Sequence, residues 1–208
     1  MFRHSSRFSL LICLTLCICL LSACGAQSET PETAVTNALN AVKALDTATM
    51  QKYFDHDDQI MTASKDEDMS DSDKIFLEAI VKNLNFEILS SSTDGDKATV
   101  SVAITNTDLR DIFAQFMQLS IQDAFQYAFL PEDQQPSDEE MDAMYMQHFQ
   151  DLMAKEDNPT ITTNIDIHLT KAENSWIINS DTLLLDAIFG GFLSAMQNMA
   201  SSLGGLAE

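Results

Sequence analysis

Basic residues are scarce in this chain of 208 residues: 11 Lys and Arg stand against 32 Asp and Glu, a formal net charge of −21 at pH 7. A field of that sign repels nucleic-acid phosphates and anionic lipid headgroups, which argues against nucleic acid as a partner. Cysteine occurs only at Cys13, Cys17, Cys19 and Cys24, so the rest of the chain can build no disulfide framework, thiolate metal site or cysteine nucleophile. Glycine is rare, and no P-loop, dinucleotide-binding glycine fingerprint or serine nucleophile elbow is present. Beyond the N-terminal segment the histidines are His56, His148 and His168, and no two have the close helical spacing of a zinc-binding pair. The acidic run Asp66-Glu67-Asp68-Met69-Ser70-Asp71 lacks the turn glycine of a calcium loop and reads as a solvated loop. No metal or cofactor is expected.

What is present begins at the N-terminus. Arg3 and Arg7 precede an apolar run from Phe8 to Leu21, which ends in Leu21-Ser22-Ala23-Cys24. A basic start, a short apolar stretch and small residues at a cleavage point describe a secretory signal. The run is shorter than the ~20 residues a spanning helix needs. The small polar residues from Gly25 to Pro31 suit a tether. The tetrapeptide resembles the lipobox of bacterial lipoproteins, Leu-[Ala/Ser]-[Gly/Ala]-Cys. That resemblance implies that residues 1–23 are removed, that the Cys24 thiol carries a diacylglyceryl group, and that residues 24–31 tether the protein to the extracytoplasmic face of a cell membrane. Loss of Arg3 and Arg7 would leave nine basic residues against 32 acidic ones, a net charge of −23.

Periodicity then organises the remainder. Thr30 and Pro31 suit a helix start, and Val35, Ala38, Leu39, Val42 and Leu45 recur at helical spacing. Asp46 or Thr47 can cap a second short helix with Met50, Tyr53 and Phe54. Residues 55–73 read as an acidic loop. A third helix, starting near Asp71 or Asp73, carries Phe76, Leu77, Ile80, Val81 and Leu84. The period changes to two at Phe86 and Ile88. Ser91 to Asp96 supply turn residues, and Val100, Val102 and Ile104 alternate with polar positions, predicting a half-buried antiparallel hairpin. Asn106-Thr107-Asp108 offers a cap for a long helix from Leu109 to Ala128. Prolines 131 and 136 break the chain before another helix over Ser137–Lys155. Ile161 to Leu169 and Ser175 to Ile178 predict a second hairpin. One apolar helix runs from Leu183 to Leu206.

Helices, hairpin, helical pair, hairpin and helix, without strand–helix alternation, predict an α+β domain with a curved antiparallel sheet of about four strands. The opening helices of Pro31–Phe54, the strand Ala98–Asp108 and the closing hairpin Ile161–Ile178 with Trp176 resemble the NTF2-like (cystatin-like) superfamily. More narrowly, the chain is similar to Gram-positive surface lipoproteins carrying an NTF2-like domain of unknown function. The resemblance implies one domain over residues 32–208, with the helical pair of about 108–156 as an insertion. Enzymes of that superfamily use a pocket Asp or His with a Tyr or Asp that polarises a carbonyl. Tyr53, Tyr127, Tyr145 and Asp166 are of the right types, but no spacing singles them out.

The C-terminal helix has no Lys or Arg, which a membrane-surface helix would carry on its polar face, so packing against the domain is the expectation. Were its outer face free, Phe189, Phe192, Met196 and Met199 would form an interaction patch. The resulting expectation is a non-enzymatic, membrane-anchored module that binds a small apolar ligand, a peptide or an envelope protein. The alternatives are an isomerase- or hydratase-type enzyme and a structural homodimer formed through the open sheet face. The cavity discriminates between them. A dry pocket with a buried carboxylate beside a tyrosine favours catalysis, and an apolar groove without convergent polar groups favours binding.

Overall fold

The computed structural model describes residues 28–55 and 71–204. Leu21, Ser22, Ala23, Cys24 and His56, with residues 56–70, lie outside the described residues, so the lipobox and most of the expected acidic loop are not placed.

Helix α1 (Pro31–Ala44) starts where expected. Thr30 is extended and its hydroxyl accepts from the Thr33 N–H, Pro31 occupies the first turn, and Lys43 stands near the negative end of the dipole. Its buried face is Ala34, Val35, Ala38, Leu39, Ala41 and Val42. Asp46 caps α2 (Thr47–Tyr53), after which Phe54 extends and forms a parallel bridge with Ile178. Helix α3 spans Asp71–Val81.

Four strands follow as an antiparallel meander in the order β1 (Asn85–Asp94), β2 (Lys97–Thr107), β3 (Thr160–Ala172) and β4 (Ser175–Asn179). The expected α+β class and four-stranded antiparallel sheet are therefore present. Val100 pairs with Ile167, Val102 with Ile165 and Leu169 with Ile178, which puts the alternating apolar residues on one face. Against that face lie α1 and α6 (Thr182–Ile188). Leu39, Ile104, Ile167, Ile178 and Ile188 are all but fully buried, each contributing about 1.5–3 kcal/mol of transfer free energy. The opposite face is polar: Thr99 bonds His168, Ser101 donates to Asp166, and Thr105 bonds Thr162 across the β2–β3 ladder.

Strand β1 runs further than its composition suggested. Ser91 to Asp94, expected as turn, pair with Lys97 to Val100, and the reversal is confined to Gly95 and Asp96. Gly95 takes φ +59, as a two-residue hairpin turn requires. A register shift between Ile88 and Ser90 leaves Leu89 bulged, and every β1 residue beyond it is exposed.

Asn106 and Thr107, expected as part of a helix cap, are instead the buried end of β2, and the cap is Asp108 alone. The Asn106 amide donates to the carbonyls of Ile80 (3.1 Å) and Ile188 (2.6 Å), and its oxygen accepts from the Thr107 N–H. One side chain thereby ties together α3, β2 and α6. From this junction α4 (Leu109–Ala128) leaves the sheet. A 3₁₀ turn at Glu132–Gln134 reverses the chain into α5 (Asp138–Met153), which opens on a capping box between Ser137 and Glu140. The helical pair expected between the two hairpins is thus present, and its buried residues, among those described, are Leu109, Ile112 and Leu152.

The single apolar C-terminal helix does not form. Helix α6 ends at Ile188, and α7 (Phe192–Gly204) departs at 112°. Gly190 and Gly191 adopt φ +54 and +81 at the break, and a Cβ on Gly190 would stand 2.0 Å from the Thr107 carbonyl oxygen. Asp186 closes the corner: its backbone carbonyl accepts from the Gly191 N–H, and its carboxylate accepts from the N–H and hydroxyl of Ser194.

Candidate functional site

The helical hairpin encloses a cavity of about 810 Å³ with α3 and the start of α7. Helical spacing supplies its walls. Leu109, Phe113 and Phe116 lie four and three residues apart on α4, while Asp142, Met146, Phe149 and Gln150 follow one another on α5 at steps of four, three and one. Phe76 and Ile80 come from α3, and Phe192 comes from α7. Six aromatic rings therefore face one space. They brace one another: Phe76 and Phe149 lie 4.6 Å apart in a tilted pair, Phe113 meets Phe192 edge-on at 5.3 Å, and Phe116 meets Tyr145 edge-on at 6.2 Å. All six remain partly exposed, so the cavity is open and apolar at its base.

Glu139, Asp142, Gln147 and Gln150 supply the polar part of the lining, with both carboxylates exposed and, among the described residues, no Lys, Arg or His in the wall. The size lies within the range typical of small-molecule and cofactor sites. No buried carboxylate meets Tyr145 here. An exposed acid at the rim can attract a cation but is not set up for proton transfer in a dry pocket.

A carboxylate–tyrosine pair does exist, at another place. Glu29 accepts from the Tyr53 hydroxyl (2.9 Å), the Asn37 amide (2.9 Å) and the Ser175 hydroxyl, and its backbone carbonyl accepts from the Trp176 indole N–H (3.0 Å). Its own N–H donates to the Asn174 carbonyl. Burial, more than the nearby Glu29 carboxylate, pushes the Tyr53 phenol above the ordinary tyrosine range, with the Asn37 hydrogen bond opposing it. None of these residues lines the cavity. They hold the segment entering α1 against α2 and the β3–β4 turn.

Other residues expected from sequence fall elsewhere. His148 lies 2.7 Å from Asp123 and joins α5 to α4, His168 contacts Thr99, and Tyr127 donates to Met144. Among the described residues no group of three metal-ligating side chains converges. Of the C-terminal patch, Phe192 lines the cavity, Phe189 packs against the core in the break before α7, Met199 is half-buried, and Met196 is exposed. The remaining cavity aromatics read only as buried helical stripes in the sequence. The available signal was two aromatic pairs, 113/116 and 145/149, on consecutive helices. Among the described residues no single helix is long and apolar enough to cross a membrane. The pair α6–α7 reaches that length only with its bend, and α6 is largely buried.

No protein-family model matches the chain, and no curated protein matches it. Among solved structures it is similar to a SEC-C motif containing protein from Rhodopseudomonas palustris at 12% identity, over 77% of this chain and 82% of that one, with a TM-score of 0.37. A likeness of that degree carries no argument about fold family or function.

Proposed function

We propose that this chain is a lipid-anchored extracytoplasmic binding protein whose groove takes the apolar face of a cationic amphipathic peptide. The carrying observation is the six-ring cavity with acidic groups at its rim and, among the described residues, no basic residue in its wall. Apolar side chains of the peptide fill the cavity, and its Lys or Arg residues meet Glu139 and Asp142 in a strongly acidic surround. Location outside the groove argues against a catalytic use of the Glu29–Tyr53 pair. The lipobox Leu21-Ser22-Ala23-Cys24 supports the anchor, and the succession of helices, hairpin, helical pair and hairpin supports an NTF2-like domain bearing an inserted arm.

Calorimetric titration with a basic amphipathic helical peptide tests the groove. Binding should weaken with added salt, and a peptide of the same composition with its apolar face scrambled should bind at least tenfold more weakly. Equal binding of the two peptides, or of an acidic counterpart, overturns the reading. Metabolic labelling with a fatty-acid probe tests the anchor: the wild type should label and Cys24→Ala should not.

A further inference from the structure

We propose that α4 is a self-association surface, on which two copies of this chain pair their α4 helices antiparallel about Phe125. The groove uses the opposite face of α4, so this inference stands independently of the peptide reading. Ile121, Phe125 and Phe129 recur every four residues and are 51%, 65% and 86% exposed. Together they present roughly 400 Å² of apolar side chain, comparable with the largest patch an ordinary monomer leaves open. Ala114, Gln118 and Gln122 continue the exposed face without charge. From Ala114 to Leu130 the chain carries one ionisable acid, Asp123, and that carboxylate is turned to His148 between the helices.

Charge selects the occupant. An anionic bilayer is disfavoured because, among the described residues, the stripe has no Lys or Arg beside it and ends at a turn bearing Asp133 and leading into Asp138 and Glu139 at the start of α5. Two copies of a chain with net charge −21 repel one another over most of their surface, but not along this neutral seam. Direction follows from the hairpin's ends. At its base Lys155 donates to Gln115, which itself bonds Asp111; Arg110 is already held by Asp108, and Asp151 by Gln147. Antiparallel pairing centred on Phe125 carries the Gln115 end of α4 past the C-terminus of the partner copy's α4 at Ala128, so Lys155 lies toward that copy's acidic turn, and Ile121 packs beside the second copy's Phe129. Parallel pairing would instead stack acidic turn on acidic turn. The area is at the small end for protein contacts, so the pair is weak and reversible.

Thiol cross-linking of the full chain in membranes of the producing cell tests this, with the wild type fixing the background from its own cysteines. Phe125→Cys places both thiols on the axis and should give a dimer band, whereas Ser92→Cys, on the exposed end of β1, should give none. Differently tagged Ile121→Cys and Phe129→Cys chains should cross-link to each other several-fold more than either does to itself. Lys155→Glu should lower the Phe125→Cys yield several-fold, and Asp133→Lys in a co-expressed copy should restore it. Absence of the Phe125→Cys dimer, a band to a different protein alone, or yields indifferent to these pairings and charges would overturn the proposal.

Discussion

The Tyr53 hydroxyl donates to Glu29 Oε1 across 2.9 Å, joining α2 to the segment that leads into α1. With Asn37, Ser175 and Trp176 bonded to the same residue, the point where the chain enters the domain is also where α1, α2 and β4 meet. Removal of the phenol oxygen leaves the Glu29 carboxylate and Asn37 short of a partner, so Tyr53→Phe should cost about 1 kcal/mol. The pH dependence has a defined sign. A phenol whose folded pKa is raised stabilises fully below the ordinary tyrosine range, and that contribution disappears as pH rises through the raised value. Thermal melts of Tyr53→Phe should therefore show a flatter alkaline limb than wild type. Identical alkaline limbs would show that the Tyr53 phenol is not coupled to folding.

Gly190→Ala puts a Cβ where the Thr107 carbonyl oxygen lies 2.0 Å away, in a left-handed conformation that already disfavours a side chain. Backbone must move to admit it, and the cost should be roughly 2–4 kcal/mol. Gly95→Ala, at φ +59 in open space, has the conformational penalty without the clash and should cost about 1 kcal/mol. Denaturant midpoints of the two variants separate the effects, and equal losses would mean the α6–α7 corner is not closely packed.

Asn106 is fully buried and has three hydrogen bonds. Asn106→Leu leaves the Ile80 and Ile188 carbonyls and the Thr107 N–H without that partner, at about 1–3 kcal/mol for each group left unsatisfied. Asn106→Asp keeps the acceptor but loses both donations, and a carboxylate facing two carbonyl oxygens favours its protonated form. That variant should gain stability relative to wild type as pH falls below neutrality, which urea melts at pH 5 and pH 8 would read.

Asn106 also marks where sequence reading reaches its limit. Alternation along β2 put it on the same face as Val102 and Ile104, yet an Asn-Thr-Asp run is equally a helix start, and only Ile80 and Ile188, brought in from distant positions, decide that it is core. Similarly, Ser91 to Asp94 have turn composition, but pairing with Lys97 to Val100 makes them strand. The period of the apolar residues revealed the helices, the hairpins and the α+β class. The break at Gly190-Gly191 was not legible, because glycine permits a left-handed turn without requiring one, and the Thr107 carbonyl that demands it lies more than eighty residues earlier. The groove shares that character. Its aromatics were visible as apolar stripes, but whether a stripe is covered or left as a wall depends on how α3, α5 and α7 meet α4.

Asp108 is held below the usual carboxylate range, first by the Arg110 hydrogen bonds at 2.6 and 2.8 Å, against the opposing effect of burial, with the guanidinium charge adding to them. A depressed folded pKa stabilises above the ordinary carboxylate range, and the contribution is lost as pH falls through the depressed value. Asp108→Asn should melt lower than wild type at pH 7 and converge toward it below pH 3. A constant gap across that range would mean the pair contributes through packing of the Arg110 stem on Gly191 and not through charge.

Ala143 offers the sharpest separation of binding from folding. It lies on α5 in the groove wall, is exposed, and has a side chain too small to support any neighbour. Ala143→Trp projects a large ring from an exposed helical position, where propensity costs only a few tenths of a kcal/mol, so the melting temperature should stay close to wild type. The ring would occupy part of the cavity that the peptide's apolar face needs. Binding of the basic amphipathic peptide should fall at least tenfold, whereas Glu139→Gln combined with Asp142→Asn should weaken it by less and remove most of its salt dependence. The two variants thus divide the affinity into an apolar and an electrostatic part. If Ala143→Trp binds the peptide as wild type does while remaining folded, the peptide sits elsewhere, and the cavity between the helical hairpin and α3 is not the binding site.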